Sequence, residues 1–242
     1  MLKTAVSKCI YQSPNGIMVL QNPLYRWLTF NSGAIQTLIL RKNPKKPGLE
    51  YILYLMYAAK LLTGDCCILG LGGAGVVHAL APFMNQHRLT AVECNAEVIE
   101  VAKQYFMLND IANLKVVCSE ASIFVGQTQQ KYTHLLVDLY NAYAFPIECA
   151  STEFFMNCKR RLHPNGVISI NLANHHQQLS IFKLIQDCFQ VYTIAIPVNN
   201  TANLIIMACH QDNFKQLLEL IKQDKKLKNL EWDSLWGYVA RF

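Results

Sequence analysis

The stretch ILGLGGAG, residues 68–75, decides the predicted fold, because four of the chain's 11 glycines lie within it. An apolar run, 66–71, leads into the stretch, and the residues from Val76 onward have the spacing of a helix. Glycine adopts positive φ and carries no Cβ, so a backbone of glycines can approach a ligand closely. The pattern predicts a strand, a ligand-binding turn and a helix. The turn is formed by Gly70, Gly72, Gly73 and Gly75.

Apolar strands and amphipathic helices alternate on both sides of this turn. The predicted strands are 66–71, 88–93, 114–119, 132–140 and 167–173, and the predicted helices are 49–62, one from residue 76, 95–108, 152–162, 177–189 and 212–228. Strands that are apolar throughout indicate a parallel sheet with helices on both faces. Two closing strands, 191–197 and 203–210, are joined by a short polar link and therefore predict an antiparallel pair.

The first 47 residues have a different pattern. Three short β-rich runs, 17–21, 25–30 and 34–40, are separated by turn signals. They predict a small antiparallel meander over residues 1–47. A larger α/β domain then follows over residues 48–242.

Composition limits the classes of function. The chain has 52% hydrophobic and 16% charged residues and a net charge of +6, but no apolar run near the length of a membrane span or a signal peptide. Its basic runs lack interleaved aromatic residues, which argues against nucleic acid as a partner. The nine cysteines lack metal-ligand spacing and predict reduced thiols, several of them in buried strands, without zinc. We expect a cytoplasmic protein.

Acidic residues end the strands that surround the glycine turn. Glu93, Glu120 and Asp138 each follow an apolar run. The carboxyl ends of parallel strands meet at one edge of the sheet, where ligands bind. A carboxylate at the end of the second strand can accept hydrogen bonds from both hydroxyls of a ribose. The glycine spacing also fits a dinucleotide, but two further carboxylates favour a nucleoside without phosphates, such as S-adenosylmethionine or its decarboxylated form.

Five segments of the chain together resemble one known family. They are ILGLGGAGVVHAL, LTAVECNAEVIEVAKQYF, VVCSEASIFV, KYTHLLVDLYNAYAFP and STEFFMNCKRRLHPNGVISINLA. The family is that of the spermidine synthases, and within it the short bacterial spermidine synthase-like members. The resemblance runs from about residue 17 to residue 210. It implies a Rossmann-like class I S-adenosylmethionine-dependent methyltransferase fold, with a mostly parallel, doubly wound sheet preceded by a β-meander.

The resemblance also implies a reaction. In that family an aminopropyl group passes from decarboxylated S-adenosylmethionine to putrescine, without a metal. Asp138 would orient the amine and accept its proton, and Glu93 would hold the ribose. Glu120 with Ala121 would lie by the adenine, and Gln36 would lie beside the nucleoside.

Several family positions carry other residues in this chain. The family's glycine loop contains an aspartate where this chain has Gly73, and a second aspartate is expected where this chain has Asn141. Leu55 and Met56 follow Tyr54 where the family has histidine and glutamate. Each lost carboxylate weakens a site for cations, since an opposite charge nearby contributes about a kcal/mol or more when partly buried.

Other side chains can compensate for these losses at the amine site. Aromatic faces attract ammonium groups. The candidates for binding the amine substrate are Glu50, Tyr51, Tyr140 and Asn141.

Two further functions remain open at this stage. One is an S-adenosylmethionine-dependent methyltransferase with an unknown acceptor, and the other is a non-catalytic nucleoside-binding relative. The aromatic tail, 231–242, and the exposed meander are compatible with a homodimer, and equally with terminal elements that pack on their own sheet.

Overall fold

The protein was analysed as a computed structural model. It describes residues 4, 6–31, 33–140, 144–190, 192–224, 227 and 229–241. The described part contains a four-stranded sheet and a nine-stranded sheet. It contains no helix that is long and apolar enough to cross a membrane.

The strands and α-helices follow one another closely along the chain. The strands are β1 (Lys8–Gln12), β2 (Met18–Gln21), β3 (Tyr25–Thr29), β4 (Ile35–Leu40), β5 (Cys66–Leu69), β6 (Leu89–Glu93), β7 (Leu114–Cys118), β8 (Tyr132–Val137), β9 (Leu162–Leu172), β10 (Thr193–Pro197), β11 (Leu204–Cys209), β12 (Leu230–Asp233) and β13 (Gly237–Ala240). The helices are α1 (Tyr51–Leu55), α2 (Tyr57–Leu61), α3 (Gly75–Leu80), α4 (Ala96–Tyr105), α5 (Ala121–Gln127), α6 (Thr152–Arg160), α7 (His175–Phe189) and α8 (Gln211–Lys222).

The large sheet has the order β12-β13-β10-β11-β9-β8-β5-β6-β7. The five strands from β9 to β7 are mutually parallel. Strand β11 lies between β9 and β10 and is antiparallel to both. The mostly parallel sheet with an antiparallel closing pair confirms the predicted fold class. The chain leaves β5 on one side toward β6 and returns on the other side as β8, so the topological switch point lies at β5.

Helices cover both faces of this sheet. One core lies on the side of α1, α2, α3 and α8, and it contains Ile52, Val76 and Leu217. The other lies on the side of α5, α6 and α7, and it contains Val125 and Phe155. Because both faces are buried, all four residues of β5 are buried, and the strand is apolar throughout.

The amino-terminal meander packs on α4. Its strands β1 to β4 pair antiparallel in chain order. Leu28 of the meander shares a small core with Val98 and Phe106 of the α4 region. The Tyr11 hydroxyl donates to Glu97 Oε1 at 2.8 Å. The meander therefore has a fixed place beside the large sheet, while a domain border at residue 47 stays a prediction.

The structure departs from the predicted elements in several places, among them the additional meander strand β1 and the start of β9 at Leu162, inside the predicted helix 152–162. The predicted helix 49–62 is divided at Met56, which lets buried Leu55 and Met56 both face the core. The aromatic tail, to which the sequence assigned no particular element, forms the hairpin β12–β13. The turn of this hairpin is fixed by Asp233 Oδ1, which accepts from the amides of Leu235 and Trp236.

The cysteines are all free thiols. Cys66, Cys67 and Cys209 are buried in strands, as predicted. Cys94 and Cys118 are exposed, contrary to the expectation of burial. Both lie at the carboxyl ends of their strands, where the sheet edge is open.

Candidate active site

The candidate site lies along one edge of the large sheet. Strand β5 ends at Leu69 before Gly70, β6 ends at Glu93, β7 ends two residues before Glu120, and β8 ends directly before Asp138. Because β5 to β8 are mutually parallel, these four strand ends share one edge. The fold therefore aligns the glycine turn and the three predicted carboxylates in neighbouring strands.

The glycine turn passes very close to the end of β8. Gly70 has a φ of +97°, and a Cβ at this position would lie 2.2 Å from the backbone oxygen of Asp138. Gly72 has a φ of +50°, and its Cβ would lie 2.9 Å from Thr37 Oγ1. A side chain at residue 70 would collide with backbone that cannot move aside. The first glycine is thus required for the turn to lie against Asp138.

The amide groups from Gly70 to Ala74 are bonded within the chain. The bonds run from Gly70 N to Val92 O (2.9 Å), Leu71 N and Gly72 N to Glu93 Oε2 (3.2 and 3.4 Å), Gly73 N to Thr37 Oγ1 (2.8 Å) and Ala74 N to Leu71 O (2.9 Å). A phosphate-binding turn instead offers its N–H groups to the ligand. The arrangement therefore favours a nucleoside without phosphates over a dinucleotide.

Glu93 is half-buried against the turn. Its Oε2 accepts from the two turn amides, and its Oε1 accepts from Asn95 N at 3.0 Å. The Cys94 thiol also donates to Oε1, at 3.6 Å. These four donors orient the carboxylate, which has about four lone-pair sites. Glu93 is held at the turn, where the sequence predicts the ribose hydroxyls.

The meander contributes a buried threonine to the turn. Thr37 of β4 is 4% exposed, and its hydroxyl accepts from Gly73 N. Its methyl carbon would lie 3.2 Å from a Cβ at Gly75. Half-buried Gln36 directly precedes Thr37. Because successive side chains of a strand point to opposite faces, Gln36 does not share the face on which Thr37 contacts the turn.

The ring of Phe106 lies next to Gly73, the turn position at which the family has an aspartate. A Cβ at Gly73 would lie 3.0–3.1 Å from three ring atoms of Phe106. Phe106 is fully buried and belongs to the core between the meander and α4. An aspartate at position 73 would therefore require this ring to move.

Asp138 is held by two side chains from different elements. The Tyr51 hydroxyl of α1 donates to Asp138 Oδ2 at 2.8 Å, and Asn171 Nδ2 of β9 donates to Asp138 Oδ1 at 2.8 Å. Burial raises the pKa of Asp138, and the donors Asn171 and Tyr51 oppose that rise. Burial and the neighbouring carboxylate raise the pKa of Tyr51 well above its usual value, so Tyr51 stays a hydroxyl donor.

A second amide continues this chain of hydrogen bonds. Asn203 Nδ2 donates to Asn171 Oδ1 at 2.8 Å. Asn203 directly precedes the antiparallel strand β11, so it lies at the same edge as the ends of β8 and β9. Three neighbouring strands thus contribute Asp138, Asn171 and Asn203.

For the other predicted site residues, the structure gives a position and an exposure. Glu120 is exposed directly before α5, and Ala121 is buried as the first residue of that helix. Glu50 is exposed before α1. Tyr140 is half-buried beyond β8, and burial raises its pKa. Asn141 lies outside the described residues.

The residues at the family's histidine and glutamate positions belong to the core. Leu55 and Met56 are 0% and 2% exposed, and Tyr54 beside them is 7% exposed. All three pack in the core on the α1 side of the sheet. These positions therefore support the fold rather than presenting charge to an amine.

Sequence reasoning missed Thr37, Asn171 and Asn203. Asn171 had a usable signal, because it is a polar residue near the end of an apolar strand at the ligand edge. Thr37 and Asn203 had none, since their roles depend on which elements pack together. Among the described residues, no group of three or more His, Cys, Asp or Glu side chains is placed to hold a metal ion.

The sequence also matches a known protein family. Residues 60–218 match the family described as Spermine/spermidine synthase domain. The polyamine aminopropyltransferase of Vibrio vulnificus (strain CMCP6) is 28% identical over 174 residues, which cover 68% of this chain and 57% of that protein.

Methyltransferases are also among the similar proteins. The eEF1A lysine and N-terminal methyltransferase homolog of Drosophila melanogaster is 24% identical over 223 residues, which cover 83% of this chain and 32% of that protein. The match spans less than two thirds of the length of each of these two relatives.

A solved structure shares the fold. It is a spermidine synthase in complex with the transition state analogue AdoDATO, and it aligns with a TM-score of 0.72 at 17% identity. The alignment covers 90% of this chain and 80% of that one.

Proposed function

Because the chain belongs to the spermine/spermidine synthase family, we propose that it transfers an aminopropyl group from decarboxylated S-adenosylmethionine to a small amine such as putrescine. One observation carries the proposal. The Asp138 backbone oxygen lies against Gly70 of the glycine turn, and two neutral donors from α1 and β9 hold the Asp138 carboxylate. The position of Asp138 directly after β8 supports a carboxylate beside the proposed nucleoside site.

The nucleoside end of the site is proposed at the ends of β5 to β7. Glu93, already oriented by the turn amides, accepts the ribose hydroxyls. Glu120 and Ala121 lie by the adenine, and Gln36 approaches from the meander. The donor is a co-substrate, and its sulfonium supplies the electrophilic carbon.

The transfer step uses Asp138 as an orienting base. A free alkylamine has a pKa near that of lysine, about 10, so it is protonated near neutral pH. Asp138 orients the amine and takes its proton. The nitrogen lone pair then attacks the carbon next to sulfur, the C–N bond forms, and the C–S bond breaks with its electron pair going to sulfur. The products are the extended amine and methylthioadenosine.

The acceptor end is proposed around Asp138. Tyr51 begins α1 and donates to Asp138, Glu50 directly precedes α1, and Tyr140 lies two residues beyond Asp138. Aromatic faces and a carboxylate attract an ammonium group. Asn141 is assigned to the same end from the sequence pattern.

A methyltransferase is the second candidate. The similarity to the Drosophila melanogaster methyltransferase homolog covers more of this chain than the similarity to the Vibrio vulnificus aminopropyltransferase, 83% against 68%. Gly73 stands where the family has the turn carboxylate that helps to hold the donor's amine, and a Cβ there would lie 3.0–3.1 Å from the Phe106 ring. In this case the methyl carbon of intact S-adenosylmethionine would face Asp138.

Incubation with each donor separates the candidates. The chain is mixed with decarboxylated or intact S-adenosylmethionine and with putrescine or a longer polyamine, and the nucleoside product is identified by mass. Methylthioadenosine supports aminopropyl transfer, and S-adenosylhomocysteine supports methyl transfer and overturns the first proposal. If neither product forms and a thermal-shift assay still detects methylthioadenosine binding, the chain is a non-catalytic nucleoside-binding protein. A homodimer and a cytoplasmic location stay predictions, which sedimentation and cell fractionation measure.

A further inference from the structure

We propose that Asn203 is a positioning residue for Asp138, acting through Asn171. This inference rests on the proposed function only for its effect on turnover. The contacts that carry it belong to the described fold itself. They join side chains at the ends of three adjacent strands, β8, β9 and β11.

The sheet register places Asp138 beside Asn171 and Asn203 diagonally across from Asn171. Val137, directly before Asp138, pairs with Ile170, and Asn171 follows Ile170 on β9. Asn171 pairs with Ile205 on β11, two residues beyond Asn203. The two hydrogen bonds, Asn203 to Asn171 and Asn171 to Asp138, are each 2.8 Å long. Asn171 is 4% exposed, so water cannot readily replace either bond.

The two hydrogen bonds run in one direction, from Asn203 to Asn171 and from Asn171 to Asp138. An asparagine side chain has one acceptor oxygen and one donor NH₂ group. Asn203 uses its NH₂ on Asn171 Oδ1, so the NH₂ of Asn171 must point the other way, toward Asp138. Without Asn203, the Asn171 oxygen loses its donor and the amide is no longer held from the β11 side. Asn203 therefore fixes the position from which the Asn171 NH₂ donates to Asp138.

The protonation of Asp138 depends on the Asn171 donor. Among the described residues, Tyr51 from α1 and Asn171 from β9 donate to the carboxylate. Tyr51 is the titratable one of the two, and burial keeps it protonated. Hydrogen bonds to the charged form of a carboxyl favour that form. Loss of the Asn171 donor therefore raises the pKa of Asp138 and reduces the fraction that can take a proton from an amine.

The test replaces the donor with a side chain of similar shape. Asn203→Leu removes the amide, Asn203→Ala removes it with less risk of a clash, and Asn203→Gln keeps an amide donor. Asn199→Leu is the matched control, because Asn199 is exposed in the same β10–β11 connection. The proteins are labelled with ¹³C at the aspartate carboxyl carbons, and the Asp138 signal is assigned by its loss in Asp138→Asn.

The titration of the Asp138 carbon signal is the first readout. We expect its midpoint to rise by about one pH unit in Asn203→Leu and Asn203→Ala, to return toward the original value in Asn203→Gln, and to stay unchanged in Asn199→Leu. A folded Asn203→Ala with an unchanged midpoint, or an equal rise in Asn199→Leu, overturns the proposal.

Kinetics supplies the second readout. The acidic limb of kcat is expected to move by the same amount, with a fall of about tenfold at a pH below the limb and an unchanged KM for the nucleoside donor. A change confined to KM contradicts a positioning role at Asp138. If no donor and acceptor pair reacts, the proposed function fails, while the carbon titration still decides the role of Asn203.

Discussion

At the scale of single residues, Asp138 combines burial with two donors on its carboxylate. Burial favours its neutral form, whereas Tyr51 and Asn171 favour the charged form. Only the charged form can accept a proton from an amine. The side chain is therefore placed to act through its charge and not through its shape alone.

Asp138→Asn tests this role of charge. The amide has the same shape and can still bond to Asn171 and to Tyr51, but it cannot take a proton. We expect the transfer rate to fall by about 10²- to 10⁴-fold, because general base catalysis is lost. The affinity for methylthioadenosine, measured by calorimetry, should stay within about threefold. Full activity in this variant would show that another group is the base.

His134 makes a second residue-scale prediction, which concerns stability. Its side chain is fully buried on β8, and its Nε2 lies 2.8 Å from the Leu62 carbonyl oxygen. A carbonyl only accepts, so Nε2 carries the proton, and Nδ1 has no partner among the described residues. Burial lowers the pKa of His134 to about 4. The folded chain therefore keeps His134 neutral in mildly acidic solution.

The sign of the pH effect follows from this lowered pKa. The unfolded chain binds a proton at His134 near pH 6.5, while the folded chain does so only near pH 4. The free energy of unfolding should therefore decrease as pH falls from 6.5 to 4, by up to about 3 kcal/mol. Urea titrations at several pH values measure it. His134→Gln should flatten the decrease, and His163→Gln, at an exposed site, should not. An equal slope in both variants would contradict the assignment.

At the scale of elements, periodicity predicted most of the fold, and the misses have physical causes. The strands of the large sheet are apolar because both of their faces are buried, and that signal is strong. Strand β1 has no fully buried residue, so its sequence carried no such signal. Strands β12 and β13 extend the sheet through the pairing of β13 with β10, which lies more than 40 residues earlier in the chain.

For the site, the sequence predicted the positions of the strand-end carboxylates but not their hydrogen-bond partners. Glu93 and Asp138 stand at strand ends, so the alternation of elements was enough to place them on one edge. The partners of these side chains depend on register and packing. Asn171 reaches Asp138 only because β9 pairs with β8, and Thr37 reaches Gly73 only because the meander packs on this side of the sheet.

The glycine turn makes an element-scale prediction. Gly70→Ala places a Cβ 2.2 Å from the Asp138 backbone oxygen at a φ of +97°. We expect the variant to lose more than about 2 kcal/mol of unfolding free energy and to bind methylthioadenosine poorly. Gly126→Ala is the control, because its Cβ has ordinary contact at 3.7 Å and lies in α5. That variant should be as stable as the parent or more so, and the reverse order would disprove the close approach.

The contact between the meander and the glycine turn gives a second prediction at the scale of elements, which concerns Thr37. Thr37 and Thr29 are both 4% exposed, and the Thr37 hydroxyl oxygen accepts a hydrogen bond from Gly73 N. The Thr29 hydroxyl has no partner among the described residues. Thr37→Val should cost about 1–3 kcal/mol by leaving the Gly73 amide unsatisfied, whereas Thr29→Val should be neutral or stabilising.

Donor binding separates a site role of Thr37 from a purely structural one. The KM for the nucleoside donor should rise in Thr37→Val and recover in Thr37→Ser, which keeps the hydroxyl. Thr29→Val should leave KM unchanged. An unchanged KM in Thr37→Val, together with lower stability, would limit Thr37 to a structural role.

At the scale of the whole molecule, charge works against the proposed acceptor. The chain carries 22 Lys and Arg against 16 Asp and Glu. Positions 55, 56 and 73, where the family resemblance predicts charged or polar groups, hold Leu, Met and Gly. A cationic amine therefore meets a repulsive field at long range, and attraction begins only near carboxylates such as Asp138 and Glu50.

Varying the ionic strength distinguishes the long-range repulsion by the net charge from the short-range attraction by the carboxylates. Salt reduces the Debye length from about 30 Å at 0.01 M to about 8 Å at 0.15 M, so it screens the distant net charge before it screens a buried contact. We expect kcat/KM for putrescine to rise several-fold between these concentrations, while the affinity for uncharged methylthioadenosine stays constant. A fall of kcat/KM with salt would mean that carboxylates at the mouth of the site outweigh the net charge of +6. Glu50→Gln, at the exposed carboxylate before α1, would then remove most of that salt dependence.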